Sequence, residues 1–338
     1  MSSESVNSQK APDETPRGHA ARSPTRRRIV LAGMLALVLS PIIFMTAFVI
    51  PGPLQENRTV IVPHGSSIRE IAALLDANGA IYNSYLFLAA AKIIAYDNLK
   101  SGEYELTPAE SMASIVLMMH DGRSVLHWFT LTEGMTSAET HRLLNVSNIL
   151  TGDSGTPPAE GSMLPETYRY SYGDNRAALI ARMQKAMQDT LNELWPKREP
   201  GLPLKTPDEA VILASIVEKE TGKAEERARI AGVFYNRLRQ SMRLQSDPTV
   251  IYAVEKARGL MERPLTRDDL LFASPYNTYA SDGLPPEPIC NPGRAALEAV
   301  LHPEANDYLY FVADGTGGHV FAKGLAEHNK NVARWRKM

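Results

Sequence analysis

One helical segment decides the fold of this chain: Ala210-Val211-Ile212-Leu213-Ala214-Ser215-Ile216-Val217-Glu218-Lys219-Glu220-Thr221. The residues before it, Thr206-Pro207-Asp208-Glu209, supply an N-cap, a first-turn proline and first-turn acids. Gly222 follows the segment and is placed to end the helix. Because the segment is apolar nearly all round, we expect it to lie in the core of its domain. It nevertheless ends with two carboxylates, Glu218 and Glu220.

The two carboxylates have different neighbours on the helix surface. Glu218 shares a face with Ala214 and Ser215, whose small side chains leave room for a ligand, whereas Glu220 stands against bulky residues such as Leu213. A carboxyl group at the lip of an apolar pocket has a raised pKa, which suits a glycosidic general acid. A structural ion pair is the alternative for Glu218, and the nearby cations are Arg227, Arg229 and Lys223.

Helices dominate the sequence around this segment. The patterns predict helices over residues 175–195 and 226–238, another that opens at Asp247-Pro248, and a last one over 325–335. Residues 308–313 and 319–322 are predicted to form a hairpin, with Gly315-Thr316-Gly317-Gly318 as its turn. The Gly-, Pro- and Ser-rich residues 151–161 are typical of a linker. We therefore predict a mainly helical domain over residues 162–338.

Upstream of the linker, a strand–turn–helix pattern occurs three times. The predicted strands are residues 59–62, 104–106 and 128–131, and helices follow that open near Ser67, at Thr107-Pro108-Ala109-Glu110 and at Thr136. Units this short cannot bury a face alone, so we expect them to pack together. The pattern over residues 51–150 resembles a LysM-like module, a small strand–helix fold associated with glycan binding. A spacer that holds the second domain away from a membrane is an equal alternative.

Residues 29–50 run for 22 positions without a charge. As a helix they measure ~33 Å, which is enough to cross the hydrocarbon core of a bilayer. Arg26, Arg27 and Arg28 precede the run, which predicts an N-terminus in the cytoplasm and the remainder outside. A cleaved signal peptide is the alternative, but its apolar region is shorter and ends at a small-residue site. Residues 1–28 are predicted to be a disordered cytoplasmic tail.

Composition and short motifs exclude several functions. The formal net charge of −2 gives no indication of nucleic-acid binding. The single cysteine, Cys290, lies among prolines without a nearby base, so we interpret it as an inert thiol. Gly152-Asp153-Ser154-Gly155 resembles the nucleophile loop of serine proteases, but its context is missing and we regard it as coincidence. We find no metal-binding or nucleotide-binding motif and predict neither a metal nor a cofactor.

The segments that carry a family resemblance follow one another along the chain. They are Glu160-Gly161 with Leu164-Pro165-Glu166-Thr167-Tyr168, Leu213 to Thr221 as quoted above, Val233-Phe234-Tyr235-Asn236-Arg237-Leu238, Leu244-Gln245-Ser246-Asp247-Pro248, Ser274-Pro275-Tyr276-Asn277-Thr278-Tyr279, Gly283-Leu284-Pro285-Pro286, Asn291-Pro292-Gly293, Asp307-Tyr308-Leu309-Tyr310, and Glu327-His328-Asn329. In this order they resemble the MltG (YceG-like) family of endolytic murein transglycosylases.

This resemblance implies the chemistry of the site. It makes Glu218 the general acid and then the base in cleavage of the β-1,4 bond between N-acetylmuramic acid and N-acetylglucosamine, with formation of 1,6-anhydro ends. Amides and phenols suit sugar hydroxyls and pyranose faces, so the candidate substrate-binding residues are Gln245, Asp247, Tyr276, Asn277 and Tyr279, with Glu166 and Glu160 as weaker candidates. Each of these could instead stabilise a loop through hydrogen bonds.

The sequence thus predicts an α+β protein of the bacterial inner membrane, with a single transmembrane helix, a LysM-like module and a lytic-transglycosylase-like domain. Its expected partners are peptidoglycan glycan strands and, by family resemblance alone, cell-wall synthases. Endolytic action also rests only on the family. Two alternatives remain open: a non-catalytic membrane-anchored peptidoglycan-binding protein, and a muramidase-type hydrolase that admits water.

Overall fold

The computed structural model describes residues 24–337, and these residues form an α+β protein. The predicted disordered tail lies outside the described residues over positions 1–23. The described strands are β1 (Arg58–Val62), β2 (Gly102–Leu106), β3 (Leu126–Thr130), β4 (Thr167–Ser171), β5 (Tyr310–Ala313) and β6 (His319–Ala322). The described helices are α1 (Pro24–Val49), α2 (Ile68–Ala77), α3 (Ser84–Ala95), α4 (Met112–Asp121), α5 (Ser137–Val146), α6 (Arg176–Leu194), α7 (Pro207–Glu220), α8 (Ala224–Arg239), α9 (Asp247–Arg258), α10 (Arg294–Leu301) and α11 (Leu325–Trp335).

The described chain divides into two compact units that interleave in sequence. The first contains residues 24–58, 68–99 and 106–120, and the second contains residues 59–67, 100–105 and 121–337. The domain boundaries predicted at residues 50, 150 and 161 differ from the boundaries of these two units, and they stay predictions.

Four helices, α1 to α4, make up the first unit. Within α1, residues Arg28–Val49 are long and apolar enough to cross a membrane, as the charge-free run predicts. Helix α3 contacts both α1 and α2, and the unit buries side chains such as Leu75, Phe87 and Met119 completely. The sequence did not predict α3, which is apolar on every side and therefore lacks a clear helical period.

One prediction about the strand–turn–helix units changes. Helix α4 begins at Met112 and not at Pro108, because Thr107 and Glu110 close a turn of their own. The backbone N and Oγ of Thr107 both donate to Glu110 Oε2, at 3.1 and 2.8 Å, and Ala109 takes a φ of +59° that no helix contains. The start predicted at Thr107-Pro108 is therefore wrong.

The three predicted strands do not join one sheet. Strand β1 pairs with β2, whereas β3 pairs antiparallel with β4, from Leu126 opposite Ser171 to Thr130 opposite Thr167. The third strand–turn–helix unit therefore pairs across the predicted linker. Its helix α5 nevertheless begins as predicted, with a capping box formed by Thr136 and Glu139.

The second unit is built around α7. Residues 210–217 of this helix are all buried, as its apolar sequence predicts, and it packs against α8, α9 and α10. Thr206 caps the start of α7, and the helix ends at Glu220, with Thr221 rather than Gly222 as the cap. The predicted hairpin is present as β5 and β6, and α11 has the predicted bounds. The short α10 was not predicted.

Candidate active site

Glu218 lies in the last turn of α7, where the core helix reaches the edge of its packed environment. Its side chain is 5% exposed. Glu218 Oε2 accepts a 2.8 Å hydrogen bond from the backbone N of Gly293, the residue that precedes α10. Glu218 Oε1 accepts a longer one, 3.4 Å, from Nη2 of Arg227 on α8. The carboxyl group is thus withdrawn from solvent but held by two donors.

Arg227 is shared between two carboxylates. Its Nη2 atom also lies 3.6 Å from Oε2 of Glu133, in the loop between β3 and α5. The Arg227 side chain is 11% exposed, whereas that of Glu133 is 47% exposed. Of the three cations considered as ion-pair partners of Glu218, only Arg227 contacts it, because Arg229 pairs with Glu304 and Lys223 reaches Thr316. Glu133 was not predicted.

The environment of Glu218 favours its protonated form. Burial raises the pKa of Glu218 above its ordinary value, and the negative charge of Glu133 raises it further. The Gly293 N–H and Arg227 act in the opposite direction, since both stabilise the carboxylate. Burial is the largest effect, so the pKa is raised overall. A carboxyl group in such a setting can both donate a proton and stabilise the anion that remains.

Two glycines lie where the loop that carries Glu133 meets the end of α7. A Cβ on Gly293 would lie 2.2 Å from Glu133 Oε1 and 2.6 Å from its Cδ, so a side chain there would displace Glu133. Gly134 has a φ of +78°, and a Cβ built on it would lie 3.9 Å from Glu218 Cγ. Gly293 thus leaves room for the Glu133 carboxylate, and Gly134 adopts the positive φ that the loop requires.

Asn291 holds this loop in place. It is fully buried, and its Nδ2 donates to Met135 O at 3.0 Å and to Ser137 Oγ at 3.2 Å. Its Oδ1 accepts from the backbone N of Met163 at 3.0 Å, and its backbone O accepts from Gly134 N at 3.1 Å. One amide side chain thus connects the loop that carries Glu133, the start of α5 and the segment before β4.

The space expected beside the small residues of α7 is filled. The backbone N of Ile289 donates to Ser215 Oγ at 3.0 Å, and Cys290 Sγ donates to Ser215 O at 3.3 Å. A ligand therefore has no room against Ser215, and the expectation of an open face there is wrong. Cys290 is fully buried and burial strongly raises the pKa of its thiol, which supports its interpretation as inert.

Two predicted substrate-binding residues, Asp247 and Tyr279, lie near Glu220 instead of Glu218. Tyr279 OH donates to Asp247 Oδ1 at 2.6 Å, and Ser246 Oγ donates to Glu220 Oε1. Burial raises the pKa of Glu220 to about 7, and the charge of Asp247 acts in the same direction. Gln245 is exposed, with a φ of +47°. Residues two apart on a helix point about 200° apart, so this cluster surrounds the carboxylate directed away from Glu218.

Asn277 supports its own loop. It is fully buried, and its Nδ2 donates to Leu270 O at 3.0 Å and to Phe272 O at 2.8 Å. Its Oδ1 accepts from Tyr279 N at 2.9 Å. This is the loop-stabilising alternative that the sequence left open, because the amide is bonded at both ends within the loop.

The remaining predicted residues lie at separate places. The hydroxyl of Tyr276 donates to Glu287 Oε2 and accepts from Lys256 Nζ at 3.0 Å. Glu166 is exposed beside β4. Glu160 Oε1 accepts from Ser137 N at 2.8 Å, burial raises the pKa of Glu160, and its side chain lines two cavities of about 490 and 460 Å³.

Ser154, in the motif regarded as coincidence, lies 2.8 Å from Nε2 of His141. The same Nε2 lies 2.9 Å from Gly155 O, which can only accept, so Nε2 carries the proton and cannot remove one from Ser154. Ser154 Oγ instead donates to Asn145 Oδ1 at 2.5 Å. The contact therefore does not activate a nucleophile.

Within residues 24–337, no group of three or more His, Cys, Asp and Glu side chains is arranged to hold a metal ion. Glu133, Glu218 and Arg227 form a group of buried or half-buried charges at the end of α7.

Comparison with known proteins places this chain in a family. The model of the YceG-like family matches residues 60–334. A Bacillus subtilis protein named endolytic murein transglycosylase is 31% identical over 310 residues, which cover 82% of this chain and 85% of the relative. A Streptococcus pneumoniae protein of the same name is 30% identical over 320 residues, 81% of this chain and 58% of the longer relative.

A solved structure from Listeria monocytogenes, described as YceG-like, is also similar. It is 35% identical, covers 82% of this chain and 99% of its own, and has a TM-score of 0.49. The family match extends over both units and includes every residue of the Glu133, Glu218 and Arg227 site. The chain therefore belongs to the YceG-like family.

Proposed function

We propose that the chain is a peptidoglycan lyase, an endolytic murein transglycosylase, in which Glu218 is the catalytic acid and base. The observation that carries the assignment is a nearly buried carboxyl group at the end of the core helix, with a raised pKa and two hydrogen-bond donors. The relatives in Bacillus subtilis and Streptococcus pneumoniae bear the name of this activity, which supports the substrate class.

In the first step, protonated Glu218 donates its proton to the oxygen between N-acetylmuramic acid and N-acetylglucosamine. The C1–O bond then breaks with its electron pair going to that oxygen, and an oxocarbenium-like or acetamido-stabilised centre forms at C1. The carboxylate left on Glu218 is stabilised by the Gly293 N–H, 2.8 Å away, and by Arg227. Both donors are in place beforehand, so little reorganisation is needed.

In the second step, Glu218 takes the proton of the muramic C6 hydroxyl while that oxygen attacks C1. The 1,6-anhydro ring closes, Glu218 is again protonated, and no water is consumed. Glu218 alone completes the proton cycle, so no second catalytic carboxylate is required, in contrast to the usual two-carboxylate glycosidases.

Hydrolysis is the second candidate reaction, and the position of Glu133 near Glu218 favours it. This half-exposed carboxylate shares Arg227 with Glu218 and could activate a water molecule. We prefer transglycosylation because Glu133 is held beside Arg227 and Gly293 and because the relatives carry that name.

Substrate contacts beyond Glu218 are also proposals. Three residues remain candidates for hydrogen bonds to sugar hydroxyls. Gln245 and Asp247 are exposed, and Tyr279 is hydrogen-bonded to Asp247. We assign Asn277 a loop-stabilising role. Tyr276 and Glu166 stay candidates for substrate binding at places apart from Glu218. The strand–helix–helix–strand order of β1, α2, α3 and β2 is compatible with a LysM-like module that binds glycan or acts as a spacer.

The location of the protein follows from α1. We propose that it is a single-pass anchor with the N-terminus in the cytoplasm and the remainder outside, because Arg28–Val49 is long and apolar and follows a basic stretch. Such an anchor places the enzyme near newly made glycan strands, and membrane-bound synthases are its expected partners.

The test compares Glu218→Gln with Glu220→Gln in the full chain in detergent micelles. Both changes keep the shape and remove one carboxyl group from the same helix end. We expect Glu218→Gln to lose activity on peptidoglycan strands on the order of 10²–10⁴-fold, the usual contribution of general acid–base catalysis. Glu220→Gln should lose far less activity than Glu218→Gln, because Glu220 bonds to Ser246 and lies on a different face of α7. Cleavage by Glu218→Gln at the wild-type rate would overturn the assignment, and strand binding without turnover in the wild type would favour the binding-protein alternative.

A further inference from the structure

Helix α3 is apolar on both its sides, yet only one side is packed. The packed side contributes Phe87, Ala90, Ala91 and Ala95 to the core of the first unit. On the other side Tyr85 is 81% exposed and Ile93 is 49% exposed, and the flanking residues Tyr82 and Tyr96 are 60% and 86% exposed. A surface helix normally presents polar residues to solvent, so this exposed side requires a partner.

The exposed residues form one stripe. Positions 85, 89 and 93 are spaced by four residues and so lie along one face of the helix, while Tyr82 and Tyr96 flank its two ends. Lys92 is exposed beside Ile93. Tyrosines with apolar rings and polar hydroxyls are enriched where a bilayer meets water, and a lysine there can reach lipid phosphates.

The position of α1 indicates what covers this stripe. Helix α1 contacts α3, and Phe48, in its last turn, is 2% exposed, whereas residues 28–46 of α1 are exposed. The contact therefore lies at the end of α1 where the chain leaves the apolar span. With α1 spanning the bilayer as proposed, this contact brings α3 close to the bilayer surface.

We propose that the exposed stripe of α3, formed by Tyr82, Tyr85, Ile93 and Tyr96, lies in the lipid–water interface and that its partner is the bilayer surface. This inference rests on the proposed membrane anchor, but not on the proposed catalysis. The stripe and the end of α1 together hold the first unit against the membrane at two places instead of one. Attachment through α1 alone would leave the first unit free to rotate relative to the membrane.

Site-directed spin labelling of the full chain in liposomes of zwitterionic and anionic lipid tests the proposal. Cys290 is fully buried, so introduced cysteines are the sites that react. The variants Tyr85→Cys and Tyr96→Cys report on the stripe, and Leu37→Cys reports on α1. Ala73→Cys is the matched control, because Ala73 is exposed on α2 in the same unit. The measured quantity is the collision rate of each label with oxygen, which is enriched in lipid, and with a water-soluble nickel complex.

We expect labels at positions 85 and 96 to collide with the nickel complex severalfold less often than the label at 73, and with oxygen more often. If position 37 lies in lipid while positions 85 and 96 match position 73, the stripe is aqueous and the proposal is wrong although the anchor stands. An aqueous position 37 would overturn the anchor and the proposal together. A change at 85 and 96 that appears only after glycan strands are added would assign the stripe to sugar binding, and would also overturn it.

Discussion

A carboxyl group that first donates a proton and then takes one back needs a pKa near the working pH. Burial and the charge of Glu133 raise the pKa of Glu218, while Gly293 N–H and Arg227 lower it. Glu133 also competes for Arg227, whose Nη2 lies at similar distances, 3.6 and 3.4 Å, from the two carboxylates. The proton affinity of Glu218 is therefore set by neighbours as well as by burial.

The variant Glu133→Gln should shift the pH profile of the reaction. Removing the charge of Glu133 lowers the pKa of Glu218 and leaves Arg227 to stabilise its carboxylate. The acid form of Glu218 is then lost at a lower pH, so the alkaline limb of kcat/KM against pH should move to lower pH. The measurement is the rate of strand cleavage across the pH range.

Glu225→Gln is the matched control for this shift. Glu225 is an exposed carboxylate two residues from Arg227 on α8, and its replacement should leave the limb in place. A limb that moves to higher pH in Glu133→Gln, or that moves equally in both variants, would contradict the role given to Glu133.

At the residue scale, the catalytic role of Glu218 stays a prediction, and the sequence does not identify the residues that surround it. Helical spacing places Glu218 and Glu220 on different faces of α7, but the open face expected beside Glu218 is filled by Ile289 and Cys290. Gly293 is 75 residues away in sequence, and the loop that contains Glu133 is about as distant, so local patterns cannot place them beside Glu218. Residue type also could not decide whether Asn277 binds sugar or stabilises a loop, since an amide suits both.

Elements with strong local signals follow the sequence closely. Helix α7 begins at its predicted cap, α11 has its predicted bounds, and β5 and β6 form the predicted hairpin. Helix α3 was missed because its apolar residues have no preferred side, and α10 because it is only eight residues long. The strand pairing of β3 with β4 depends on a long-range contact that no local pattern contains.

The element that carries Glu133 depends on Asn291. The variant Asn291→Ala should lower the free energy of unfolding by about 2–4 kcal/mol, because it leaves a buried cavity and buried polar groups without partners. It should also reduce cleavage, since the Glu133-Gly134 loop loses its support. Chemical denaturation of the full chain in micelles measures the first effect.

Asn192→Ala provides the comparison for Asn291→Ala. Asn192 is exposed on α6, and its loss should change the free energy of unfolding by less than about 0.5 kcal/mol. Equal stabilities for the two variants would show that Asn291 does not hold the three segments together.

At the scale of the whole molecule, the family resemblance read from sequence agrees with the family model over residues 60–334. The region before it, with α1, lies outside that match and rests on physical argument alone. The length of the apolar run favours an anchor over a signal sequence, whose apolar region is shorter, and the fate of the N-terminal residues decides between the two.

An anchor predicts that the mature protein keeps its N-terminal residues. Intact-mass measurement of protein purified from cell membranes should give the full chain, and sodium carbonate should fail to extract it while detergent succeeds. The physical reason is the 22-residue apolar span, whose removal from lipid is costly. A shorter chain that begins after residue 50 and is found in the soluble fraction would identify α1 as a cleaved signal.

The mass of the new glycan ends tests the central claim most directly. Peptidoglycan strands are incubated with the full chain in micelles, in parallel with Glu218→Gln, and the products are analysed by mass spectrometry. We predict internal fragments that end in 1,6-anhydromuramic acid, one water lighter than hydrolytic fragments and absent with Glu218→Gln. Reducing muramic ends would contradict the account and show that water, and not the C6 hydroxyl, attacks C1.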